Sequence, residues 1–320
     1  MPQKTLGSFC IAALLATAAN AETLFVTLEK DNAIAVVDPI EGKLLKTVPV
    51  GQRPRGIALG NDGKQLYIAT SDDDTIKMVD SESLTETGKL PSGEDPETFA
   101  LSPDGKMYVS NEDDNEVTVI DIAAKKAINK IKVGVEPEGI AVSPDNQWAI
   151  SASETTNMLH WIDVKSGKIV ENTLVDPRPR AVNFTADSQQ LWATSEMAGT
   201  VMVLDAASKQ IVQTIKLQVQ GVNDELIQPV GVVIDKDRRY AYVAMGPANR
   251  VAVINARDYS VEKYLLVGQR VWNLAFSPDQ KRLYTTNGVS NDISIIDLDE
   301  HKVTKSIAVG RYPWGVAVKP

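Results

Sequence analysis

Seven residues at one phase of the chain carry the side chains best suited to bind something: Arg55, Glu97, Glu138, Arg180, Val230, Trp272 and Trp314. Two arginines flank two glutamates, and two tryptophans follow. Two residues upstream of each, the sense repeats in Arg53, Asp95, Glu136, Arg178, Gln228, Arg270 and Tyr312. Guanidinium groups grip carboxylates in pairs of hydrogen bonds, and indole faces stack on planar or cationic groups. Around one concave surface such residues suit a planar anion, and they equally suit a protein hot spot. The bland alternative is a belt of ion pairs between neighbouring structural units, with the tryptophans filling space. Residue types leave both open. Variation favours binding, because a purely structural position would repeat one residue type, as the flanking Gly-Ile-Ala-Val framework does. On that reading the arginines lie on water-exposed loops and add little to stability.

A second set of acids, Glu29, Asp72, Asp73, Asp74, Glu112, Asp113, Asp114, Glu154 and Glu196, reads as solvated loops. Asp72-Asp73-Asp74 lacks the glycine and the terminal glutamate of an EF-hand. The two histidines fall at a strand position beside Trp161 (His160) and in a polar turn (His301), so a shared metal site is not expected. No Gly-x-Ser-x-Gly elbow, phosphate loop or Cys/His spacing occurs. A metal-dependent hydrolase of the lactonase type would have to draw its ligands from Glu97, Asn111, Glu138 and Asn183, with Arg55 and Arg180 weakening cation binding.

The elements that position these residues follow from a repeat. Leu66-Tyr67-Ile68, Met107-Tyr108-Val109, Leu191-Trp192-Ala193, Ala241-Tyr242-Val243 and Leu283-Tyr284-Thr285 share one phase. Asp38, Asp80, Asp121, Asp163, Asp205, Asn255 and Asp297 share another, mostly 41 or 42 residues apart with one step of 50. Each unit holds four short β-branched runs separated by turn residues such as Ser102-Pro103-Asp104-Gly105. The seven Asp/Asn side chains end a strand where a short acceptor can close an Asx turn. Four strands per unit of about forty residues is propeller arithmetic. The first unit starts at its second strand, Leu24-Phe25-Val26, and the last stops at its first, Gly315-Val316-Ala317-Val318. The two ends complete one blade, which predicts an all-β, seven-bladed β-propeller over residues 22–320. The one long step places Gln218–Gln228 as an extended loop on the face that carries the ring.

Met107-Tyr-Val-Ser-Asn111 and Leu283-Tyr-Thr-Thr-Asn287, with Val117-Thr-Val-Ile-Asp121, resemble the YVTN β-propeller repeat, and the resemblance runs through all seven units. Stretches outside the repeat, among them Gly51-Gln-Arg-Pro-Arg55, Gly134-Val-Glu-Pro-Glu138 and Gly310-Arg-Tyr-Pro-Trp314, resemble the propeller subgroup associated with pyrroloquinoline quinone (PQQ)-dependent catabolism of alcohols. That resemblance implies a non-enzymatic binding or scaffold protein beside periplasmic alcohol oxidation. A quinoprotein dehydrogenase, a cytochrome c or an ABC-type transporter component would be its partner. PQQ enters by association only, and the residues themselves assign no cofactor. A carrier of PQQ or a related planar anion at the Arg/Trp ring, or a lactonase-type hydrolase, are the rival readings.

The N-terminus supports export to the periplasm. Lys4 precedes the apolar run Phe9–Ala19, and Ala19-Asn20-Ala21 is a small-x-small cleavage site, so residues 1–21 read as a signal peptide cut after Ala21. Eleven apolar residues are too few to span a bilayer core of about 30 Å, and no other segment is long enough, so no membrane span is expected in the mature chain. Cys10, the only cysteine, leaves with that segment. Its loss excludes disulfides, thiolate chemistry and covalent haem c attachment. Net charge moves from −9 to −10 without Lys4, which disfavours nucleic acid as a partner.

Overall fold

Each repeat folds into four antiparallel strands, and the computed structural model describes residues 22–320. The expected signal peptide, 1–21, lies outside the described residues. Twenty-eight strands form seven four-stranded sheets, the blades of a propeller. Blades 1 to 6 span 54–91, 96–132, 137–174, 179–216, 229–266 and 271–308. In the closing blade the innermost strand is Pro313–Lys319, paired antiparallel with Thr23–Leu28 in the register Leu24–Val318, Phe25–Ala317 and Val26–Val316. Seven blades and the closure from both ends stand as expected.

Burial explains the hydrophobic pattern. The second and third strands of a blade are covered on both faces by neighbouring blades, so Gln190–Ser195 is buried along its whole length. The outermost strand, as in Lys43–Pro49, is exposed almost throughout. Alternate residues serve opposite neighbours: Leu24 and Val26 pack with Tyr284 and Ile293 of blade 6, while Phe25 packs with Leu66 and Ile68 of blade 1. The seven Asp/Asn positions act as Asx turns. Asp38 Oδ1 accepts from the N–H of Ile40 and Glu41, and Asp80, Asp121, Asp163, Asp205, Asn255 and Asp297 repeat this role.

Innermost strands approach so closely that side chains have no room between them. A Cβ on Gly139 would lie 2.5 Å from the Arg180 carbonyl oxygen, and one on Gly231 2.7 Å from that of Trp272. These glycines therefore set how tightly the ring residues of adjacent blades are held. Gly139→Ala should cost about 1–3 kcal/mol through forced separation of blades 3 and 4. A lowered denaturation midpoint at unchanged m-value checks this.

Candidate functional site

Seven loops lead into the innermost strands on one face, and the loops between second and third strands open beside them. The first ring residue of each blade is the second residue of its innermost strand, within the sheet rather than before it. Its backbone is pinned from the neighbouring blade: Thr27 Oγ1 donates to the Arg55 carbonyl (2.8 Å), and Thr286 Oγ1 to that of Trp314 (2.6 Å).

Two residues earlier, Arg53, Asp95, Glu136, Arg178, Arg270 and Tyr312 all adopt a left-handed backbone, with φ between 47° and 61°. For non-glycine residues this conformation is strained and needs support. The support is an Asn or Asp side chain of the preceding blade. Asn32, Asp74, Asn115, Asn157, Asn249 and Asn291 each accept the ring residue's N–H through Oδ1, at 2.8–3.0 Å. These latches escaped the sequence reading, although they recur at the step of the repeat. Only blade 5 departs from it. Gly199 stands at the latch position of blade 4, and the long loop brings in a short 3-10 turn, Asp224–Leu226, capped by Asn223, ahead of Gln228.

Five arginines converge on a cavity of about 750 Å³ at the channel mouth. Arg53, Arg55, Arg178, Arg180 and Arg270 line it with Trp272, and Met197 and Glu225 reach its rim. A narrower space of about 140 Å³ continues inward past Ile140, Val230 and Trp314. Arg270 stacks 4.2 Å from the Trp272 ring centroid, and the Arg180 and Arg55 guanidinium carbons lie 5.8 and 5.7 Å from the rings of Trp272 and Trp314. Gly288 leaves the space that Trp272 occupies, since a Cβ there would sit 2.5 Å from its Nε1. Of the ring residues named from the sequence, Arg53, Arg55, Glu138, Arg178, Arg180, Gln228, Arg270 and Trp272 line this cavity, Val230 and Trp314 belong to the inner space, and Asp95, Glu97, Glu136 and Tyr312 line neither.

Two expectations are corrected. Glu154 and Glu196 are not solvated: they are 3% and 5% exposed and reach under the arginines. Nor are Arg55 and Arg180 water-exposed loop residues. Arg180 Nη1 meets Glu154 Oε1 at 2.5 Å and Glu138 Oε2 at 2.7 Å, with its side chain 10% exposed. Arg55 Nη1 pairs with Glu97, and Arg53 reaches Glu97 (2.6 Å) and Asp95 (3.1 Å). Arg178 joins Glu154 at 2.9 Å and Glu196 at 3.1 Å, and Arg270 meets Glu196 at 3.2 Å. The acids belong to a belt of ion pairs because loops of neighbouring blades converge, a tertiary effect invisible in loop composition. Nε of both Arg55 and Arg180 is buried without a hydrogen-bond acceptor.

Electrostatics follow from this crowding. Burial works against the charge on Arg180, yet Glu138, Glu154 and Glu196 outweigh it and hold its proton above the usual guanidinium range. Burial pushes the carboxyls of Glu97 and Glu138 up, against the pull of Arg55 and Arg180. Glu112 is pushed up to about 8 by burial and by Glu97, Glu138 and Asp95. With its pKa raised in the folded state, its contribution to stability is fully present in acid and is lost as pH rises through about 8.

Both amides of the metal set considered from sequence have other partners. The Asn111 amide is spent on Ser92 and Thr118, and the Asn183 amide donates to the Val232 carbonyl. Oxygens of Asp95, Glu97 and Glu112 do lie within 4.8 Å of one another, but Arg53 and Arg55 already supply the positive charge there. His160 is structural. Its Nε2 accepts the Gly134 N–H at 2.9 Å, and Nδ1 faces Asn172 Oδ1 at 2.6 Å.

Fold and mouth together define a seven-bladed β-propeller with an arginine–carboxylate channel mouth. Residues 62–173, covering most of blades 1 to 3, match the family model of the cytochrome D1 heme domain. No curated protein matches the sequence. Among solved structures the chain is similar to hydrazine synthase of Kuenenia stuttgartiensis, at 23% identity and TM-score 0.74, over 82% of this chain and 89% of that one. It is also similar to a functionally unknown protein from Desulfotomaculum acetoxidans, at 14% and 0.78, over 92% and 98%. A third likeness is to the dihydro-heme d1 dehydrogenase NirN in complex with DHE, at 16% and 0.67, over 89% and 63%. At these identities the likeness shows the propeller fold.

Proposed function

We propose that the chain is an exported, non-enzymatic binding protein whose channel mouth takes up a planar polycarboxylate for a partner in periplasmic oxidation. The observation that carries this is the convergence of five guanidinium groups and the Trp272 indole on one cavity of about 750 Å³. Guanidinium forks suit carboxylates, and a stacked Arg270–Trp272 pair suits a flat ring system.

The matched family's name implies a haem, and the mouth meets only part of what a haem needs. The arginines suit the carboxylates of a tetrapyrrole. Its iron would find no imidazole: His160 is engaged inside blade 3, His301 bonds the Tyr242 hydroxyl away from the mouth, and Met197 is the one soft donor at the rim among the described residues. The residues therefore fit the anionic periphery of such a ligand and not an iron held by histidine. A metal-free planar tricarboxylate, PQQ, meets the whole requirement, and the resemblance to the alcohol-catabolism subgroup points the same way. Exposed Met197, Leu226 and Tyr312 on the same face would meet the partner, with a quinoprotein dehydrogenase, cytochrome c or transporter component the classes in view.

Titration with PQQ, followed by tryptophan fluorescence and calorimetry, should saturate at one ligand per chain. Arg270→Ala should weaken binding by roughly 1.5–3 kcal/mol, about ten-fold or more, through loss of a charge-assisted contact and a stacking face. No binding of PQQ at any pH from 5 to 8 would sink this reading. Haem titrated in parallel separates the two planar anions.

A further inference from the structure

The mouth has too much negative charge to welcome an anion as it stands. Acids facing the five arginines include Glu29, Asp95, Glu97, Glu138, Glu154 and Glu196, each in an ion pair, and Glu112 adds to them. Fully ionised, these carboxylates outnumber the guanidinium groups, and an incoming polycarboxylate would meet net repulsion. Glu112 is where the conflict is sharpest. From the loop after the second strand of blade 2 it faces Asp95 and Glu97 of its own blade and Glu138 of blade 3. Arg53 and Arg55 of blade 1 face it from across Glu97, to which both are bonded. Asp113 and Asp114 neighbour it on its own loop, with Asp114 turned to accept the Glu94 N–H. No cation bonds Glu112 itself in the described residues, whereas Glu97 beside it is wholly buried between two arginines.

Two carboxylates this close, with one already committed to guanidinium groups, hold a proton between them, because the second charge has no counterion. We propose that the mouth takes up its anionic ligand together with a proton held on the Glu97–Glu112 pair, so that capture weakens as the solution becomes alkaline. This rests on the reading of the mouth as an anion site and supplies its regulation. The protonated pair does two things. It removes one negative charge facing the ligand, and it presents an O–H that donates to a ligand carboxylate. An anion arriving near the pair raises the proton affinity further, and linkage makes the effect reciprocal, so protonation tightens the ligand by the same factor. The upward displacement of Glu112 to about 8 fits a group already protonated at neutral pH.

The test is calorimetric titration of the full protein with PQQ at pH 6, 7, 8 and 9, whose carboxylates stay ionised throughout. At pH 8 it is repeated in phosphate and Tris, whose ionisation heats differ. Affinity should be level to about pH 7 and fall toward ten-fold per pH unit above 8, with up to about half a proton taken up at pH 8. Glu112→Gln, a permanently neutral donor, should bind at pH 9 as tightly as the natural protein does at pH 6, with no buffer dependence. If that variant does not fold, judged by its melt, the two-buffer comparison on the natural protein decides alone. Equal affinity at pH 6 and 9 with no proton uptake would overturn the inference while leaving the anion site standing. Absence of PQQ binding at both pH values would overturn both.

Discussion

Deleting residues 314–320 is expected to unfold the ring. That truncation strips all but the first residue of the innermost strand from the closing blade, together with its ladder to Leu24, Phe25 and Val26. It also removes Trp314 and Ala317, both buried. Losing a strand's hydrogen bonds at about 1 kcal/mol net each, plus burial at about 25 cal/mol per Å², should cost on the order of 5 kcal/mol or more. Domains of ordinary stability have about 5–15 kcal/mol in total, so the change reaches the threshold. The damage spreads in both directions, because Phe25 packs on blade 1 while Leu24 and Val26 pack on blade 6. Circular dichroism melts of the truncated and full chains measure this, and a synthetic peptide of residues 313–320 should restore part of the loss. A truncated protein that melts with the full-length one would show that closure by the two ends carries no stability.

This closure was legible in the sequence because periodicity fixes phase. Once Leu24-Phe25-Val26 is placed at the second strand of a unit and Gly315–Val318 at the first, no other pairing leaves both ends satisfied. The Asx turns were legible for a similar reason: Asp38 and its six counterparts recur at the end of a strand, and only backbone geometry asks for the same short acceptor each time. The mouth was half legible. Types and positions of its arginines and tryptophans could be read, since they break the repeat at a fixed phase. Their burial could not. Glu154 and Glu196 look like loop acids until seven loops are folded onto one another, and the depth of a side chain is set by partners far along the chain, as Arg270 is for Glu196. One signal was available: Glu29, Glu112, Glu154 and Glu196 share a phase of their own, directly after the second strand. The latches of Asn32 and its counterparts share another. Phases occupied by polar residues, read as strictly as apolar ones, would have located both.

The second large effect belongs to Arg180, and it separates the arginines that hold the mouth together from those that face a ligand. Arg180→Ala should destabilise the protein by about 3–5 kcal/mol at pH 8, because it leaves Glu138 buried without a cation and takes one of their cations from Glu154 and Glu196. The loss should shrink in acid. Without the guanidinium the Glu138 carboxyl rises further above its ordinary range, and in acid it protonates and loses its repulsion for the neighbouring Glu154. Destabilisation therefore grows from pH 5 to pH 8, a range over which removal of a simple surface ion pair, its carboxylate already ionised, would cost nearly the same. Arg178 serves as the contrast. It pairs with Glu154 and Glu196 too, but its side chain is 45% exposed, and Arg178→Ala should cost less than about 1 kcal/mol. Ligand capture should sort the two the other way round. Folded Arg178→Ala and Arg270→Ala should lose affinity for a planar anion, since Arg180 is spent on its three glutamates while the more open guanidiniums can turn to a guest. Chemical denaturation of Arg180→Ala and Arg178→Ala at pH 5 and pH 8, beside PQQ titration of the folded variants, measures both halves. If Arg180→Ala is as stable as the natural protein at pH 8, the buried acids do not depend on it and the belt described here is not what holds the mouth.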